Sequence, residues 1–165
     1  MGGEIKTYAN KDCRFGYRDS IFKLNNEIIL SVILKFEAGD PKKLRQEIFD
    51  HIKYRQERHG LPSCGSVFKN CLLETIPKEF IEKFKEKIKT DPFPVLPAAV
   101  LISAAGLTGK AVGGAKITEG HANIIVNFNN AKAQDVLALI NLVKETVADK
   151  FGVTLDEEVE FVDSD

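Results

Sequence analysis

Three polar side chains stand where a purely architectural role explains them least well. Arg18 falls in Cys13-Arg14-Phe15-Gly16-Tyr17-Arg18-Asp19-Ser20, an aromatic, glycine-containing loop where a cation is costly unless it meets an anion. Ser66 falls in Pro62-Ser63-Cys64-Gly65-Ser66-Val67-Phe68-Lys69-Asn70, where small neighbours let a hydroxyl face a ligand and two polar side chains follow. Glu158 precedes the alternating Val159 and Phe161, which sets a carboxylate beside a buried strand. Taken singly, each also has a plainer reading: a surface ion-pairing arginine, a turn serine, part of a solvated acidic tail.

Other chemistries find no pattern to support them. His51, His59 and His121 are scattered, with no i, i+4 pair and no H-E-x-x-H, so no metal spacing exists. G-x-S-x-G is missing, which argues against the usual serine hydrolysis. Gly106, Gly109, Gly113 and Gly114 match neither dinucleotide nor phosphate-loop signatures and read as a helix end followed by a tight turn. Cys13, Cys64 and Cys71 are odd in number with no C-x-x-C, and read as reduced, small core residues of a cytoplasmic protein.

Composition narrows the class. With 165 residues the chain can bury roughly 70% of its unfolded surface. The 44% hydrophobic and 28% charged residues are ordinary for a globular protein and exclude disordered, collagen-like and disulfide-dense classes. Twenty-three basic against 24 acidic side chains give −1, so no global field draws it to nucleic acid or an anionic membrane. The longest apolar stretches, 28–34 and 95–105, are too short or too broken to span a bilayer. Residues 40–89 are mildly basic, 12 against 8, and could face an anionic small molecule, although a solvated helix face explains them too.

The elements that must position these residues read as α+β. Residues 4–8 and the β-branched run 27–36 read as strands, the second buried. Asp40 then Pro41 starts a helix whose stripe Leu44, Ile48, Ile52 and Arg55 runs towards Gly60, its apolar side packing in the core. A turn-rich loop over 61–70 precedes a second helix over 77–88, through Phe80, Phe84 and Ile88. Asp91-Pro92-Phe93-Pro94 is a connector, and Pro97 starts a small-residue helix ending at Gly106. Strands follow at 115–117 and 122–127. Asn130 caps the longest helix, with Val136, Leu139, Ile140, Val143 and Val147 on one face and Gly152 after its end, and a strand over 153–162 closes the chain. The first two strands have little of their own to pair with, so the sequence reads as starting within a larger architecture.

Five ordered blocks carry a family resemblance. They are Cys13-Arg14-Phe15-Gly16-Tyr17-Arg18-Asp19-Ser20-Ile21-Phe22-Lys23; Gly65-Ser66-Val67-Phe68-Lys69-Asn70; Ala104-Ala105-Gly106-Leu107-Thr108-Gly109-Lys110 with Gly113-Gly114-Ala115; His121-Ala122-Asn123-Ile124-Ile125-Val126-Asn127; and Phe151-Gly152-Val153-Thr154-Leu155-Asp156-Glu157-Glu158-Val159. In this order the sequence resembles the UDP-N-acetylenolpyruvoylglucosamine reductase family over nearly its whole length, in the family's compact type. The resemblance implies an oxidoreductase of peptidoglycan precursor synthesis, reducing the enolpyruvyl ether of UDP-N-acetylglucosamine with FAD and NADPH. It also implies roles. Ser66 matches the proton donor, Arg18 the group that stabilises the enolate oxygens, and Glu158 the third catalytic position. Arg55, Lys69 and Asn70 resemble substrate-binding positions for sugar or phosphates. Arg58 and His59 stand where members often carry a basic residue and Gln, and His121 matches a position read as a structural hydrogen bond.

Members of the family are longer, and the N-terminal half that holds most of the flavin has no counterpart here. The resemblance therefore divides the chain into 1–38, a C-terminal remnant of the flavin-binding domain, and 39–165, a substrate-binding domain. The flavin domain becomes an expected partner, in cis or in trans. A rival reading remains open: a non-catalytic nucleotide-sugar binding module that keeps the fold without the flavin.

Overall fold

Leu139, Ile140, Val143, Val147 and Phe151 recur at three- and four-residue spacing, and that spacing builds the longest helix, α4 (Ala133–Phe151), with all five side chains buried. The computed structural model describes residues 3–25, 27–58, 60–90 and 92–162 and divides into two units, Met1–Leu44 and Arg45–Asp165. Helix Pro41–Arg58, here α1, begins in the first and continues into the second.

In the unit Arg45–Asp165 the elements are mixed, small antiparallel sheets with helices, as an α+β class requires. Cys71–Leu72 (β1) pairs with Val95–Leu96 (β2), enclosing the short helix Lys78–Lys83 (α2). Ala98–Ala104 (α3) follows, then a sheet of Ala111–Val112 (β3), Ala115–Ile117 (β4) and Ile125–Asn127 (β5), with Ala115 opposite Asn127 and Ile117 opposite Ile125. Leu101 and Ile102 of α3, Ala115 and Ile117 of β4, the α4 stripe, and Val153 and Leu155 form one core with Val67 and Phe68. Each fully buried large side chain contributes about 1.5–3 kcal/mol. Phe151 meets Phe80 and Phe84 edge-on, at 5.1 and 6.1 Å between ring centres, which fastens α2 to the end of α4.

Several expectations are corrected. The segments 4–8 and 27–36 form no strand among the described residues, and Ile28 to Leu30, Val32 to Leu34 and Phe36 are exposed. Strand-forming side chains need a ladder partner before they bury anything, and the described residues offer none. The two segments meet through side chains instead: Lys6, Tyr8 and Asn25 all donate to the Glu27 carboxylate, at 2.8–3.0 Å. The Tyr8 hydroxyl, then the Lys6 ammonium, hold that carboxyl below its usual range. Helix α1 starts as expected, Asp40 Oδ1 accepting from the Lys42 and Lys43 N–H groups, but Leu44, Ile48 and Ile52 are exposed rather than core. The helix expected over 77–88 ends at Lys83, and a single 3₁₀ turn, Lys85–Lys87, completes it. Residues 153–162 do not run as one strand: the only ladder contact among them is the Phe68–Glu157 bridge, and Phe161 is exposed.

Asn130 does not cap α4. Its backbone is left-handed, and Lys132 occupies the N-cap position. The cap works in reverse: the Asp135 carboxylate, three residues in, accepts from the Lys132 and Gly114 N–H groups at 2.9 and 3.1 Å. Those two bonds, Lys132 first, hold Asp135 below its usual range. Gly114 is needed for space, since a Cβ there would overlap the Asn129 carbonyl and the Ala131 backbone.

Replacing Gly114 by Ala must push that backbone apart, and we expect a loss of about 3 kcal/mol or more. Gly65→Ala, where the added methyl meets open space and only a φ of +84° is strained, should cost about 1–2 kcal/mol. Urea unfolding of the two variants checks the order; a Gly114→Ala loss no larger than that of Gly65→Ala would contradict the close-packing argument.

Candidate functional site

The residues from Gly65 to Asn70 have too few apolar side chains in alternation to make a strand alone, and they do not. They are held from both sides by segments far away in sequence. Ser66 bridges Ile124, and the Val67 N–H donates to the Asn123 carbonyl at 2.9 Å. On the other side Phe68 bridges Glu157, the Glu158 N–H donates to the Val67 carbonyl at 2.8 Å, and the Lys69 N–H donates to the Asp156 carbonyl at 2.8 Å. Val67 and Phe68 are buried, so the segment is anchored in the core while Ser66 stays at the surface. Gly65, with positive φ, supplies the turn that delivers Ser66 to this position.

Glu158 is half-buried and its N–H meets the Val67 carbonyl, whereas the buried alternating strand expected after it does not form. Its neighbour Glu157 is tied to Lys144 of α4 at 2.7 Å. That hydrogen bond, the largest effect, holds the Glu157 carboxyl below its usual range. Around Gly65 lies an open surface depression of about 400 Å³ lined by Arg55, Gln56, Ser63 and Gly65, where one guanidinium can meet an anion.

The other predicted residues divide. Lys69 is half-buried in the held segment. Asn70 turns inwards, its Oδ1 accepting from the Ala98 N–H at the start of α3, at 3.3 Å. The Arg58 side chain and His59 lie outside the described residues. The His121 backbone exchanges hydrogen bonds with the Thr118 hydroxyl, which closes the turn before β5. Arg18 belongs to the other unit. There Gly16 and Asp19 exchange backbone hydrogen bonds at 3.0 and 3.3 Å, leaving Tyr17 and Arg18 at the tip of a tight turn. Arg18 has φ of +56°, uncommon without glycine, its carbonyl accepts from Lys23 Nζ at 2.8 Å, and its guanidinium lies 5.6 Å from the Tyr17 ring centre. Backbone strain of this kind persists only where its surroundings impose it and concentrates at functional positions.

Cys13 and Cys71 are buried and Cys64 is exposed, all three as free thiols. Burial, with Asp156 adding to it, pushes the Cys71 thiol up to about 11, so it is no thiolate at neutral pH. Among the described residues no helix is long and apolar enough to cross a membrane, and no three metal-ligating side chains cluster. Sequence reasoning passed over Gln56 and Ser63 of the depression, and Asn123, the one buried polar residue among those described. The signal for Asn123 was an amide set directly before the apolar run Ile124 to Val126.

Known proteins bear directly on this arrangement. Residues 55–162 match the family model described as UDP-N-acetylenolpyruvoylglucosamine reductase, C-terminal domain. Over 164 residues the chain is 34% identical to UDP-N-acetylenolpyruvoylglucosamine reductase of Geobacillus kaustophilus, covering 98% of this chain and 47% of that protein. It is 35% identical to UDP-N-acetylenolpyruvoylglucosamine reductase 2 of Bacillus cereus, covering 99% and 47%. The crystal structure of UDP-N-acetylenolpyruvylglucosamine reductase from Thermus caldophilus is similar over 92% of this chain and 47% of its own, with a TM-score of 0.60 and 28% identity. The chain spans about half the length of the curated relatives it matches.

The Lys144–Glu157 pair makes a pH prediction. Glu157 has a lowered value in the folded state, so its stabilisation is present above the unfolded value of about 4.5 and is lost as pH falls through the folded one. Lys144→Met should cost about 0.5–1 kcal/mol at pH 7, and the gap to the unsubstituted chain should narrow steadily as pH falls below the unfolded value. Thermal unfolding across pH checks it; a gap that stays constant would show the pair to be idle.

Proposed function

The chain belongs to the UDP-N-acetylenolpyruvoylglucosamine reductase family, and on that premise we propose that it is the substrate-handling part of an oxidoreductase that reduces the enolpyruvyl ether of UDP-N-acetylglucosamine to UDP-N-acetylmuramate, in the cytoplasm, for peptidoglycan precursors. The observation that supports this reading is the segment after Gly65, which carries Ser66 at the surface, bonds the Glu158 backbone through the Val67 carbonyl, and starts at a depression lined by Arg55.

The chemistry asks for such a set. Two electrons enter the enol double bond beside a carboxylate, leaving an enolate-like charge that must be held until a proton reaches the adjacent carbon. FAD, reduced by NADPH, is the hydride source that the family implies. The depression described above does not fit it: among the described residues Arg55, Gln56, Ser63 and Gly65 line it and none offers an aromatic wall to a flavin ring, which supports a flavin domain supplied in cis or in trans. In this reading residues 1–38 end that flavin domain and 39–165 bind substrate, and the exposed apolar run 28–36 is where the flavin domain's sheet continues.

This chain's own groups act on the substrate. Ser66 places its hydroxyl proton at the carbon, and its efficiency rests on position, since a serine alone is a poor acid. Arg18 pairs its planar guanidinium with the carboxylate, and stacking on Tyr17 pre-sets its direction. Glu158 orients against the same intermediate. Arg55, with Lys69 and Asn70, meets the sugar or the diphosphate.

A second reading keeps the depression without the reduction: a nucleotide-sugar binding module, favoured by the same lack of a flavin fit. The isolated chain, tested for bound yellow cofactor and NADPH oxidation, is expected to show neither, and its complex with the flavin half separates the two readings.

Calorimetry with the enolpyruvyl ether should show binding to this chain, weakened about tenfold or more by Arg55→Ala and little changed by Ser66→Ala. In the complex with the flavin half, Ser66→Ala should leave NADPH oxidation fast and slow reduction of the enolpyruvyl substrate by about two to three powers of ten. Equal slowing of both half-reactions in stopped-flow absorbance would remove Ser66 from the proton-donor role.

A further inference from the structure

We infer that Asn123 is the positioning residue of the substrate-handling segment, fixing through Phe68 the direction of Ser66 and the seat of Glu158. The inference rests on the reading of Ser66 and Glu158 given above. In a regular strand, alternate residues turn their backbone groups to alternate edges, so two successive N–H groups cannot reach the same neighbour. Here they do. The Val67 N–H donates to the Asn123 carbonyl at 2.9 Å and the Phe68 N–H to Asn123 Oδ1, also at 2.9 Å. Asn123 Nδ2 then donates to the Phe68 carbonyl at 2.8 Å.

The side-chain amide thus replaces the peptide unit that a longer partner strand would have offered. At the same residue pair the segment changes partners, because the Val67 carbonyl accepts from Glu158 on the opposite side. Breaks in alternation of this kind re-aim side chains next to functional sites. Asn123 is 3% exposed and Phe68 1%, so water cannot stand in for the amide. Only a short primary amide satisfies both Phe68 groups: aspartate lacks the donor, leucine both, and glutamine is one methylene longer.

The test compares Asn123→Ala and Asn123→Asp with Val147→Ala, a truncation in α4 of the shared core that leaves every Asn123–Phe68 hydrogen bond in place. Affinity for the enolpyruvyl ether of UDP-N-acetylglucosamine is measured by calorimetry where each chain is folded, and amide hydrogen exchange is followed at Val67, Phe68 and Lys69. We expect both Asn123 variants to bind the probe at least tenfold more weakly and to exchange faster at these three amides, while Val147→Ala keeps its affinity. Asn123 variants that bind within twofold of the unsubstituted chain, or lose no more than Val147→Ala does, overturn the inference while leaving the functional reading intact. If the unsubstituted chain does not bind the probe, the functional reading falls and the positioning role falls with it. Should neither Asn123 variant fold, the unsubstituted chain decides: probe binding should slow Phe68 exchange at least threefold, and unchanged exchange overturns the inference.

Discussion

The arrangement depends on one constraint: a short, surface-facing stretch must be bonded simultaneously by two segments more than thirty residues apart in the chain. Ser66 to Lys69 meet 123–124 on one side and 156–158 on the other, and neither neighbour is a long strand. Short ladders are weak alone. What makes this one persist is that Val67 and Phe68, between the two neighbours, are buried in the core formed by α3, α4 and β4. Burial anchors the middle of the segment and leaves its ends to present polar groups, which is how a rigid scaffold supports a site.

The two neighbours are positioned by different means. Residues 123–124 precede β5 and are set by the turn that the Thr118 hydroxyl closes. Residues 156–158 follow α4, where Val153 and Leu155 lock into the core and Lys144 ties Glu157. Helix α4 therefore acts on the site from its far end, and the reversed cap at Asp135, which also bonds Gly114, fixes its other end to the β3–β4 turn. Local capping chemistry and the candidate site are connected through one rigid element.

Much of this could be read in the residues. Helical spacing gave α4 and α1, Asp40-Pro41 gave the start of α1, Gly152 the end of α4, and the small-residue loop gave Ser66 its setting. The failures share a physical cause. Periodicity reports which face prefers burial and cannot report what covers it, so the apolar stripe of α1 and the run 28–36 look buried in the sequence while the described residues provide no cover. The cap of α4 was missed because Asp135 works from inside the helix, and a search for a capping residue in front of it stops at Asn130. Asn123 was missed because its role is defined by Phe68, fifty-five residues away.

That last case separates two kinds of information. The types of side chain suited to chemistry are legible locally, and Arg18, Ser66 and Glu158 stand out by their immediate neighbours. The groups that aim them are not, since an amide earns its meaning from the unpaired backbone it meets after folding. Arg18 shows the intermediate case: its aromatic loop is legible, whereas its left-handed backbone and the Lys23 ammonium on its carbonyl emerge only with the turn. A cation held in a strained turn beside an aromatic ring loses little freedom on meeting an anion, and that pre-organisation is built by the turn itself, out of reach of any reading of the loop's composition.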